Sequence, residues 1–85
     1  MPLSATLYVE KNNPDCEKAV SLCKYLEETG ILKCKVLDVT SDTETRSDIR
    51  NKTGSTRLPL LDLRNIGMFH YNTMRIYFED KLTRL

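Results

Sequence analysis

The amino-acid sequence predicts one α/β domain over residues 1–85, with its elements in the order strand, helix, strand, helix, strand, strand, helix. Three observations carry this reading. A short run rich in β-branched and aromatic residues, Ala5-Thr6-Leu7-Tyr8-Val9, ends where the longest helical pattern of the chain begins. A second apolar run, Ile31 to Val39, follows that helix at the spacing of a helical crossover, which completes a βαβ unit. Further on, Leu58 to Leu63 and Ile66 to Phe69 flank the turn residues Arg64-Asn65, and a last helical stripe follows them.

Each element has a local cause. Asn13 suits a helix N-cap, Pro14 the first helical position and Asp15 the positive end of the helix dipole. From there the less polar residues fall at Cys16, Ala19, Val20, Cys23 and Leu26, one face of a helix that stops at Gly30. Asp42 to Lys52 is polar with helical spacing and only Ile49 as an apolar anchor, so it predicts a short, mostly exposed helix closed by Thr53-Gly54. Pro59 stands at the start of its strand, where a missing N–H does least harm. Asn72 or Thr73 then caps a helix to about Leu82, with Met74, Tyr77, Phe78 and Leu82 on its core-facing stripe.

Composition excludes several function classes. Thirteen Lys and Arg stand against 12 Asp and Glu, interspersed along the chain, so the basic footprint of a nucleic-acid binder is missing. No apolar run approaches the ~18 residues of a membrane span, and Met1-Pro2-Leu3-Ser4 has none of the character of a signal peptide. The expectation is a cytoplasmic protein with no membrane partner. Three cysteines, an odd number without framework spacing, fit reduced intracellular thiols better than a disulfide scaffold. Cys16, Cys23 and Cys34 have no paired short spacing and His70 is the only histidine, so no metal site is expected.

Candidate chemistry gathers at Lys11 to Ala19, where a strand gives way to a helix N-terminus whose free N–H groups and dipole favour an anion. Cys16 is the candidate catalytic nucleophile, close enough to that terminus for its thiol pKa to fall. Asp15 and Glu17 oppose a second negative charge there, and the shared stripe with Ala19 and Cys23 turns Cys16 toward the sheet as a small apolar residue. Cys16 and Cys23, seven residues apart on one helix, are separated by about 10 Å and cannot pair. Cys34 alternates with Lys33 and Lys35 and reads as a buried strand residue. Arg57 offers a carboxylate partner or a plain solvated charge, and His70 a base or a surface residue in a turn. Tyr71, Met74, Tyr77 and Phe78 suit a partner-binding face or, at helical spacing, the core.

Asn13-Pro14-Asp15-Cys16 at the first helix, Lys18-Ala19 after it, and Thr53-Gly54 through Arg57-Leu58-Pro59 before the third strand together resemble the glutaredoxin branch of the thioredoxin superfamily over essentially the whole chain. The resemblance implies a thioredoxin-like fold, a four-stranded mixed sheet with three helices, and a cis peptide bond at Leu58-Pro59. It places Asn13, Pro14, Asp15 and Cys16 on the four positions of the family's Cys-Pro-x-Cys motif, so Asn13 stands where the nucleophilic cysteine belongs. The family's Gly-Gly-x-Asp-Asp seat for the glutamyl end of glutathione falls on Phe69-His70-Tyr71-Asn72-Thr73, without either glycine. Leu37-Asp38-Val39 and Asp48-Ile49-Arg50 are also similar to the Src-homology-3-binding glutamic-acid-rich proteins. Pro14-x-Cys16 and the last helix are similar to the N-terminal domains of glutathione transferases, whose helical second domain does not fit in this length.

The function expected from these residues is a degenerate glutaredoxin-like domain serving as a binding or adaptor module for a protein partner. Its binding residues are Asn13, Pro14, Arg57, Leu58 and Pro59, with no obligatory cofactor and with glutathione or an extended peptide as the ligand chemistry. Two alternatives stay open: a divergent glutathione-dependent thiol-disulfide oxidoreductase using Cys16, and a small structural subunit of a larger complex.

Overall fold

The computed structural model describes residues 3–83, with side chains described through residue 80. The chain runs β1 (Leu3–Val9), α1 (Pro14–Glu28), β2 (Leu32–Asp38), α2 (Thr43–Thr53), β3 (Leu60–Leu63), β4 (Gly67–His70) and α3 (Tyr71–Thr83). The four strands form one mixed sheet in the order β2-β1-β3-β4, with β1 parallel to β2 and the other neighbours antiparallel.

Register decides which face each side chain takes. Ala5 stands beside Cys34 and Leu63, and Leu7 beside Val36 and Leu61, so these residues share one face. That face carries α1 and α3. Leu7, Leu61, Leu63, Ala19, Cys23, Leu26, Met74 and Phe78 are buried between sheet and helices. The opposite face, with Tyr8, Leu37, Leu60, Asp62 and Met68, receives α2, whose one buried side chain is Ile49.

The helix ends follow the sequence. Asn13 caps α1 with Pro14 at the first helical position. At the other end Ile31 N–H reaches back to Leu26 O at 3.0 Å, closing the helix around Gly30. The N-cap of α2 is Asp42, whose carboxylate accepts from Thr45 N–H at 3.0 Å and from the Thr45 hydroxyl at 2.7 Å. Gly54 ends α2 at φ 73°, a conformation that costs glycine nothing, and its N–H donates to Arg50 O at 2.8 Å.

The first strand begins earlier than the sequence reading, at Leu3, the second is trimmed to Leu32–Asp38, the fourth begins at Gly67, and three further boundaries differ near the site. The third strand begins at Leu60, because the chain bends at Leu58 and Leu58-Pro59 makes no ladder pair. The fourth runs to His70, since the antiparallel ladder continues through the Leu60–His70 pair. The last helix then starts directly at Tyr71, so neither Asn72 nor Thr73 is a cap, and His70 lies in a strand and not a turn. Met74 and Phe78 are core residues as their spacing predicts, and Tyr77 joins them, stacked on Phe69 and edge-on to Phe78. The side chain of Leu82 and the N-terminal Met1-Pro2 lie outside the described residues.

Candidate functional site

The chemistry-bearing residues of the sequence meet at one end of the sheet, where β1 runs out into α1 and the chain enters β3. Leu58-Pro59 lies beside the α1 N-terminus, and its peptide bond is cis. Asn12 turns the chain with φ 59°, in the left-handed region that asparagine tolerates better than most residues. This turn aims Asn13 at both segments.

Every hydrogen-bonding site of the Asn13 amide is used. Its Oδ1 accepts from Asp15 N–H at 3.0 Å and Cys16 N–H at 3.3 Å, the two bonds of an N-cap. Its Nδ2 donates to Glu10 Oε2 at 3.0 Å and to Leu58 O at 3.1 Å. Two acceptor lone pairs and two N–H donors are the full capacity of a primary amide. Asn13 therefore ties the helix to the approach of β3 and has nothing left to offer a ligand.

Glu10 extends the network to a third element. Its second oxygen, Oε1, meets both terminal nitrogens of Arg46 on α2 at 3.3 Å, an ion pair with each side chain about three-quarters covered. Close by, Thr40 holds the two chain segments together: its hydroxyl accepts from Lys11 N–H at 2.9 Å and donates to Asp38 at 2.6 Å. The Thr40 hydroxyl and N–H bonds hold the Asp38 carboxyl below its usual range.

Cys16 lies under this network, 3% exposed, in a shallow apolar depression with Val9, Glu10, Glu17 and Val20. Burial pushes its thiol up; the bond from Glu10 N–H at 3.4 Å works the other way, and the charges of Glu10, Asp15 and Asp38 add to the upward push. Both physical conditions for a reactive thiol, exposure and an electropositive setting, are missing at this atom.

Of the expected binding residues, Pro14 and Arg57 are exposed, Leu58 and Pro59 are buried, and Asn13 is half-buried. Pro59 O meets His70 Nδ1 at 3.2 Å, so the histidine braces the proline segment from β4. Phe69 and His70 belong to β4 and Tyr71-Asn72-Thr73 to the first turn of α3, so the stretch aligned with the family's glutathione seat is regular backbone here. Sequence reasoning missed Glu10, Arg46 and the His70 brace. Glu10 and Arg46 are 36 residues apart, and no local spacing announces such a pair.

A further meeting of functional side chains lies away from this end. Cys23 on α1 and Cys34 on β2 are free thiols on neighbouring elements, close enough for each to shift the other's pKa. Among the described residues, no group of three or more His, Cys, Asp or Glu is placed to hold a metal ion, and no helix is long and apolar enough to cross a membrane. Compared with models of known protein families the chain matches none, and no curated protein matches it at a significant level.

Proposed function

We propose that this chain is a thioredoxin-fold domain of glutaredoxin type that has given up dithiol chemistry at its motif turn and acts as a binding or adaptor module. The observation that carries the reading is the saturated Asn13 amide. It occupies the position of the family's nucleophile, cannot form a mixed disulfide, and bonds the Leu58 carbonyl beside the proline. The remaining motif thiol, Cys16, is buried with its pKa raised, which weakens the alternative of an oxidoreductase working through it. Support for the fold comes from the strand order β2-β1-β3-β4, the helices divided two to one across the sheet, and the proline segment next to the α1 N-terminus.

The ligand-facing surface in this reading is the rim formed by Pro14, Asp15 and Arg57, all exposed. Arg57 supplies a cation for a peptide or glutathione carboxylate. The purified chain is expected to show no glutathione-dependent disulfide reductase turnover through Cys16. Turnover that disappears in Cys16→Ser would overturn the reading. Glutathione titrated against the labelled chain is expected to shift the amide resonances of Arg57 and Asp15, and Arg57→Ala to abolish those shifts.

A further inference from the structure

We propose that Cys23 and Cys34, brought together where α1 lies over β2, form a thiol-disulfide exchange site that closes into an intramolecular disulfide on reaction with a low-molecular-weight disulfide. The pair lies away from the Asn13 turn, and its chemistry does not depend on what binds there.

Placement rests on both elements. Cys34 stands beside Ala5 in the parallel ladder, and Ala5 is a core residue under the helices, so Cys34 takes the α1 side of the sheet. Cys23 is on the buried stripe of α1. Glu27, one helical turn beyond Cys23, reaches Cys34 N–H with its Oε1 at 2.7 Å, which fixes the register of helix against strand. The two thiols are close enough for each to shift the other's pKa, and closure would bring the sulfurs to the ~2.05 Å of a disulfide.

The pair is asymmetric in the sense that exchange requires. Cys34 is half-buried, and Cys23 is 1% exposed. The neighbouring Cys23 thiol lowers the Cys34 pKa, helped by the Leu7 backbone N–H and opposed by burial and Glu27. The Cys34 thiol and burial push the Cys23 thiol up. Because a disulfide in solution can reach the half-buried Cys34 and not the buried Cys23, Cys34 is the attacking sulfur and Cys23 the resolving one.

The reaction with a disulfide R–S–S–R balances in two steps. The Cys34 thiolate attacks one sulfur, forming Cys34–S–S–R and expelling RS⁻, which takes up a proton. Cys23 then gives up its proton and attacks the Cys34 sulfur, releasing the second RS⁻, which is protonated in turn. Two protein thiols are oxidised to one disulfide and R–S–S–R is reduced to two RSH.

The test treats the reduced chain with oxidised glutathione and follows it by non-reducing mass spectrometry. The expected product is the chain lighter by two hydrogens, with a cross-linked peptide pair carrying Cys23 and Cys34 and with Cys16 still reduced. Cys23→Ser is expected to trap a stable glutathione adduct on Cys34, and Cys34→Ser to give neither adduct nor cross-link at Cys23. An unmodified native chain, an adduct that persists with Cys23 reduced, or a cross-link through Cys16 would each overturn the proposal. Should Cys23→Ser fail to fold, the native-chain product decides alone.

Discussion

The two faces of the sheet are packed to different depths. Under α1 and α3, Leu7, Leu61, Leu63, Leu26, Met74 and Phe78 interlock from both sides, and the core is continuous. Under α2, Ile49 alone is buried from the helix, and the sheet offers Tyr8, Leu37, Leu60, Asp62 and Met68 around a partly open space. One face holds the fold together, while the other carries a lightly docked helix. That helix nonetheless delivers Arg46 to Glu10, so the motif end of the molecule depends on the weaker face.

The sharpest way to break the contrast is to empty a side chain from each face. Phe78→Ala removes a fully buried ring from the dense face and is expected to destabilise the chain by about 3–5 kcal/mol, measured by urea unfolding. Ile49→Ala is expected to cost less, about 2 kcal/mol, at the low end for such truncations because its surroundings are open. Hydrogen exchange should show α2 amides losing protection while β1 and β3 keep theirs. Equal loss across both faces would mean the two halves are one cooperative unit.

Asn13→Ala tests the junction between them. Losing the cap is expected to cost about 0.5–2 kcal/mol, and it also releases Leu58 O and Glu10. An increase in glutathione affinity in this variant would show that the amide occludes the ligand site. The Glu10–Arg46 pair should matter less: Arg46→Gln is expected to cost below about 1 kcal/mol, with an effect that shrinks at high salt, because both groups are partly solvated.

The smallest effect concerns acid. Thr45 N–H and hydroxyl bonds depress the Asp42 carboxyl below its ordinary value of 3.8. A depressed folded pKa means that the cap's contribution is complete above the unfolded value and is lost as pH falls through the lower folded one. Circular dichroism during acid titration should therefore show a loss of helix in this low-pH window that Asp42→Ala lacks.

The parts of the molecule legible in the sequence are those set by neighbours along the chain. Asn13-Pro14 announced a helix start, Gly30 and Gly54 announced stops, and alternation set Cys34 opposite to Lys33 and Lys35, while its face of the sheet came from the register with Ala5. The proline segment before β3 came from the family resemblance, with Leu58-Pro59 cis as that resemblance implies. What escaped depended on tertiary placement. The start of α3 was set by how far the β3–β4 ladder ran, Arg46 reached Glu10 across the chain, and Cys23 met Cys34 only once α1 lay on β2. Helical spacing could exclude Cys16 with Cys23; it could not select Cys34 with Cys23.

The Glu27 carboxylate on Cys34 N–H has a second consequence. β2 is the outermost strand on its side of the sheet, and a donor bonded to a helix side chain points away from β1, toward open solvent. Such a border is where a strand of another molecule would add itself and begin stacking copies. Here a negative charge from the chain's own helix already fills the central docking position, with Lys33 and Lys35 exposed on either side. A newcomer would have to displace an internal bond and bury three charges, so this border is guarded against runaway self-association.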